Sequence, residues 1–131
     1  MFSTYTGQEF DLNIPDNWKI EFDSKANLFS LYSINENAIG ALQLSAFISN
    51  SNEWNPIDWI EEDKDCNIIR ISDYATVHYI DYKLDKGFII YHWIMGSKNK
   101  MIHVTYTVDS KDNYQSELQL VEDILDTLKL K

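Results

Sequence analysis

The stretch FIIYHWIMGSKNKMIHVTYTV, residues 88–108, decides the fold. Its second half, Met101 to Val108, alternates strictly. Ile102, Val104, Tyr106 and Val108 fall on one side, and Met101, His103, Thr105 and Thr107 on the other. A period of two is the mark of a strand with one face buried. The first half belongs to a strand over Lys86–Gly96 that is apolar on both sides, with Phe88, Ile90 and Ile94 on one and Ile89, Tyr91, Trp93 and Met95 on the other. A strand covered on both faces belongs at the centre of a sheet. Between the halves, Ser97-Lys98-Asn99-Lys100 supplies turn chemistry, so the two strands form an antiparallel hairpin.

Two strands precede the hairpin: Asn67–Asp73, in which Ile69 and Ile71 alternate with Ile68 and Arg70, and Ala75–Lys83, which ends in the turn Leu84-Asp85-Lys86-Gly87. Further upstream, strands are predicted over 2–6 and 8–14 (Phe10, Leu12 and Ile14 alternating with Asp11 and Asn13), forming the first edge of the sheet. Pro15-Asp16-Asn17 breaks this run, and Trp18, Ile20 and Phe22 begin another strand. Leu28–Ser33 and Gly40–Ser49 follow, separated by the turn residues Asn35-Glu36-Asn37, and the second places Leu42, Leu44, Ala46 and Ile48 on one face.

Two helices complete the expectation. The first spans 55–64. Asn55 is a good N-cap, Pro56 sits where a missing N–H costs nothing, and Asp58 complements the positive end. Trp54 and Trp59 have the spacing of a hydrophobic staple. The second spans 113–129, with Asp112 and Gln115 as a capping box and Tyr114, Leu118, Val121, Leu125 and Leu128 as an apolar stripe that must dock on the sheet. The fold class is α+β: a central antiparallel sheet of six to seven strands, flanked by a short helix and a C-terminal amphipathic helix, in one domain over residues 1–131.

Charge narrows the function. The net charge of −10 and the single arginine, Arg70, weigh against nucleic acid, whose affinity comes from Lys and Arg neutralising phosphates. The same charge suits a basic protein partner. Cys66 is the only cysteine and follows the acidic run Glu61-Glu62-Asp63-Lys64-Asp65, which disfavours a reactive thiolate. The lack of an intrachain disulfide fits a reducing compartment, and the cytoplasm is expected. The longest apolar stretch, Phe88 to Met95, is interrupted by His92 and too short to insert in a bilayer.

His78, His92 and His103 lie one on each strand of the 75–108 meander, and three imidazoles could hold zinc. If the 97–100 turn is tight, residues 94 and 103 pair and His92 lies diagonal to His103; His78 joins that face under only one of two registers. No Gly-rich phosphate loop or nucleophile elbow is present, and no cofactor is expected. Among the many aromatics, those of the meander suit a protein interface. The candidate binding residues are Tyr79, Tyr82, Tyr91, His92, His103 and Thr105.

The opening Phe10-x-Leu12-x-Ile14-Pro15-x-x-Trp18, the strand with Gly40-Ala-Leu-Gln-Leu-Ser45, the short helix, the meander and the terminal helix follow one another in an order that resembles the PsbP-like superfamily. That resemblance implies an α/β/α sandwich around an antiparallel sheet, and relatives that are mostly adaptors, chaperones or assembly factors. The expectation is a non-catalytic protein-binding module of a bacterial cytoplasm, such as a toxin-neutralising immunity protein or a secretion chaperone, monomeric or weakly dimeric. The rivals are a small metal- or small-molecule-dependent enzyme using the sheet histidines, and a structural homodimer.

Overall fold

A computed structural model describes residues 2–35, 38–49, 53–62 and 64–131. Glu36 and Asn37 of the expected turn, and Asp63 of the expected helix and acidic run, lie outside them. The strands are β1 (Phe2–Thr6), β2 (Phe10–Pro15), β3 (Trp18–Asp23), β4 (Leu28–Ser33), β5 (Ala41–Ile48), β6 (Asn67–Ile71), β7 (Tyr74–Lys83), β8 (Phe88–Ser97), β9 (Lys100–Asp109) and β10 (Lys129–Leu130). One α-helix, α1 (Gln115–Leu125), and a 3-10 helix at Pro56–Trp59 complete the set.

The strands form two antiparallel sheets. The larger has the order β3-β4-β5-β9-β8-β7-β6, and the smaller β1-β2-β10. Two expectations are corrected here. The first two strands are not an edge of the main sheet: they pair with each other and with β10 and cover it as a separate layer. The segment Phe10-x-Leu12-x-Ile14-Pro15-x-x-Trp18 is the corner where the chain changes sheets. Phe10, Leu12 and Ile14 point inward from the small sheet, Pro15 ends it, and Trp18 enters the core from the large one. The strand at the exact middle is β9, with the doubly covered β8 beside it.

The core lies on one face of the large sheet. Leu31, Leu42, Leu44, Trp93, Met95, Ile102, Val104 and Tyr106 from that face meet Phe10 and Leu12 of β2 and Leu118, Val121, Ile124 and Leu125 of α1. At roughly 1.5–3 kcal/mol for each large apolar side chain buried, this layer dominates stability. Glu117 ties α1 to the sheet. Its carboxylate accepts from the N–H of Ile39 (3.0 Å) and Gly40 (2.6 Å) and from the Tyr106 hydroxyl (2.7 Å).

Helix limits differ from expectation for local reasons. Asn55 does cap, its side-chain oxygen accepting from Ile57 N–H at 3.1 Å, but the helix ends after one 3-10 turn at Trp59. None of its residues is buried, so no tertiary burial repays the cost of nucleating more turns. An α/β/α sandwich therefore has its second helical layer reduced to this turn. In α1, Tyr114 occupies the N-cap position without a side-chain cap, and Asp112 makes a turn with Asp109 instead of a capping box. The helix stops at Leu125. The Thr127 hydroxyl donates to Ile124 O and accepts from Asn13 N–H, turning the chain into β10. Leu128 fills the core from the turn between α1 and β10, its N–H donating to Leu125 O at 3.1 Å, which is why the apolar stripe read onward through it.

Candidate functional site

The face of the large sheet opposite α1 carries the chemistry. Its layout follows from the β8–β9 hairpin, whose closing pair Ser97↔Lys100 leaves a two-residue turn with Lys98 at φ 55°. That register pairs Ile94 with His103, as the tight-turn reading required, and sets His92 diagonally next to it. His92 Nδ1 and His103 Nε2 are 3.1 Å apart, one donating to the other. From β7, Tyr79 lies directly opposite His92 and stacks on it, with centroids 4.4 Å apart and planes at 11°. Asp81, two residues along, brings Oδ2 to 3.9 Å from His92 Nε2, an ion-pair distance too long for a hydrogen bond. Lys64 caps the group, 4.6 Å above the Tyr79 ring and 3.8 Å from Asp81.

Burial and then the neighbouring His103 push the His92 imidazole down to about 4, and burial lowers His103 as well. Both rings are therefore neutral at pH 7, each with one N–H to place. His92 Nδ1 and His103 Nε2 share one hydrogen bond, whereas the buried His92 Nε2 faces Asp81 across 3.9 Å and, among the described residues, makes no hydrogen bond.

His103 leads into an open groove of about 600 Å³. Met101 and Phe47, cross-strand partners on β9 and β5, form its apolar floor, Trp54 and Trp59 its wall, and Lys98, Lys100, Glu53 and Asp58 its rim. The tryptophans stack at 6.3 Å, consistent with a staple, but Trp59 stays 43% exposed and Phe47 45%. Trp54 is held from three directions. Its N–H donates to Lys98 O, its Nε1 donates to Ala75 O at 3.1 Å, and its ring lies over Gly96, where an added Cβ would come within 2.7 Å of it. Only glycine in β8 allows that approach.

Of the six residues singled out from sequence, Tyr79, His92, His103 and Thr105 share this face, Thr105 in register between His92 and Gln43. Of the other two, Tyr91 is a correction and Tyr82 lies on the opposite face. Tyr91 points into the core, with its hydroxyl donating to Tyr114 at 3.0 Å, because it alternates with Trp93 and Met95. Tyr82 pairs with Ile89 and so belongs to the α1 side, where it is exposed at the sheet's end. His78 is also on that side, opposite Trp93, with Nδ1 2.8 Å from His92 O, so the three imidazoles do not converge. Among the described residues, no group of three or more His, Cys, Asp or Glu side chains is placed to hold a metal ion. Sequence reasoning passed over Asp81, Lys64, Phe47 and Met101. Asp81 was legible, since it alternates with Tyr79 on one strand.

No protein-family model matches the sequence, and no curated protein matches it. Solved structures do match the fold. A protein of Bacteroides thetaiotaomicron VPI-5482 superposes with a TM-score of 0.75 at 18% identity over 93% of this chain, which spans 45% of that protein's length. The cyanobacterial PsbP (CyanoP) of Synechocystis sp. PCC 6803 gives a TM-score of 0.62 at 12% identity, covering 99% of this chain and 92% of its own. LpqN of Mycobacterium tuberculosis, a protein involved in cell envelope biogenesis, gives 0.52 at 12% identity, covering 100% and 91%. Among the described residues no helix is long and apolar enough to cross a membrane. The chain has a PsbP-like fold, with two antiparallel sheets and one α-helix among the described residues.

Proposed function

We propose that this chain is a non-catalytic protein-binding module of a bacterial cytoplasm, and that it holds its partner in the groove walled by Trp54 and Trp59. One observation carries the reading: Phe47 and Trp59, each over two-fifths exposed, face a common open groove beside a neutral histidine pair. Large apolar side chains left accessible around a concavity are the usual anchors of protein association. The net charge of −10 favours a basic partner and speeds encounter with it. A toxin-neutralising immunity protein or a secretion chaperone would use such a surface, the first on a basic toxin and the second on an apolar segment of its client.

The test is capture of a partner at low salt by tagged wild-type chain, repeated with Phe47→Ala/Trp59→Ala. The reading expects a stoichiometric partner that the double variant loses. A partner retained equally by both proteins, or none for the wild type, counts against it.

A further inference from the structure

The two edges of the large sheet differ. On β3, Lys19, Glu21 and Asp23 alternate along the strand, the charged pattern that discourages further pairing. The other edge, β6, reads Asn67-Ile-Ile-Arg-Ile71, with no proline and one charge; Ile68 is 48% and Ile69 37% exposed. The β6–β7 turn is two residues long, with Ile71↔Tyr74 as its closing pair and Ser72 at φ 55°. Pairs alternate outward from such a turn between hydrogen-bonded and non-bonded. Asn67, Ile69 and Ile71 therefore bond to β7, whereas the N–H and C=O of Ile68 and Arg70 point away from the sheet. The bond from Trp54 Nε1 to Ala75 O agrees, because Ala75, opposite Arg70, turns its carbonyl away from β6.

Beside this edge, on the α1 side, lies a hollow of about 240 Å³ lined by Ile69, Ile71, His78, Trp93, Glu122 and Asp126. Asp65 and Asp73 are exposed at the two ends of the strand. Arg70 also borders the hollow, but alternation directs its side chain to the opposite face. We infer that β6 accepts an extended segment of a partner protein as an eighth strand. The side chains of that segment beside the hollow are basic and meet Glu122 and Asp126, and those beside Ile68 are apolar. Backbone bonds give such strand addition its affinity and alternate side chains its specificity. A second copy of this chain is a poor occupant, since each carries −10.

The inference rests on reading the chain as a protein-binding module, but not on the groove. The probe is a fluorescent acetylated peptide, Lys-Val-Lys-Val-Lys-Val-Lys, with its Glu-for-Lys counterpart as control. The Lys peptide is expected to bind and the Glu peptide not. Ile68→Pro removes one outward N–H without touching the β7 ladder, and is expected to weaken binding at least about tenfold. Ile68→Thr, which keeps that N–H, and Phe47→Ala/Trp59→Ala are expected to stay within about twofold, so failure of the groove reading is separately visible. Glu122→Gln, on the exposed side of α1, is expected to weaken binding about threefold should the proline variant not fold. At saturation, amide exchange slows at Ile68 and Arg70, and not at Ile69, which is already bonded. The inference is overturned by no binding of the Lys peptide, by equal binding to Ile68→Pro, by protection on another surface, or by a doubled light-scattering mass of the chain alone.

Discussion

The two faces of the large sheet are built from the same strands by the same alternation, yet they do different things. On the α1 side, Leu44, Val104, Trp93 and Tyr106 are sealed by a helix and a second sheet. On the other side, among the described residues, Phe47, His103, His92 and Tyr79 lie beneath residues 53–62 and 64–66 with a single 3-10 turn, and a groove is left open. Burial on one face fixes the structure and frees the other from that duty, so the half-covered face can carry polar groups with shifted proton affinities.

The largest effect expected from this contrast comes from a pair of truncations on β5. Leu44→Ala, on the sealed face, is expected to cost about 2–5 kcal/mol by denaturant unfolding. Phe47→Ala, three residues along on the open face, is expected to cost less than about 1 kcal/mol. Equal costs would erase the distinction between the faces.

Acid should expose the histidine pair. His92 is neutral in the fold until about pH 4, whereas in the unfolded chain it takes a proton below its ordinary value of 6.5. Between those values the unfolded state binds more protons, so stability falls as pH drops and is unaffected above the window. The loss is on the order of 3 kcal/mol. Urea midpoints from pH 7 to 4, compared with His92→Gln, isolate it: the wild type's stability relative to the variant declines through the window, and parallel curves would refute the assignment.

Smaller still is the tie between the sealed face and α1. Glu117→Ala leaves two backbone N–H groups and the Tyr106 hydroxyl without their acceptor, at an expected cost of about 2 kcal/mol by thermal or urea unfolding. Gly96→Ala sharpens the comparison from the open face. Its methyl meets the Lys100 carbonyl oxygen as well as the Trp54 ring, and a loss of about 2–3 kcal/mol should accompany a shift in tryptophan emission. An unchanged spectrum would mean that Trp54 does not rest on Gly96.

Much of this was legible in the residues themselves. Alternation over 101–108 assigned every side chain of β9 to its face, and the 97–100 turn fixed the approach of His92 to His103. Alternation cannot say which sheet a strand joins, and that is why β1 and β2 read as an edge of the main sheet. It also cannot separate a helix from the turn that follows it when the buried residue is three positions on, as Leu128 is from Leu125. Tyr91 was placed correctly among apolar neighbours, yet its polar tip suggested a surface role; a buried phenol needs only one partner, and Tyr114 is it. The groove was hidden because it depends on a distant contact, Trp54 against Gly96, that no local pattern encodes.

The account depends most on the open face being where a partner binds. Its most direct test is partner recovery by three chains of matched thermal stability: wild type, Phe47→Ala/Trp59→Ala, and Leu84→Ala, which trims an exposed apolar side chain in a turn away from the groove. Recovery undiminished in the Leu84→Ala chain and reduced at least about tenfold in the groove variant is the predicted result. Equal recovery by all three would contradict it.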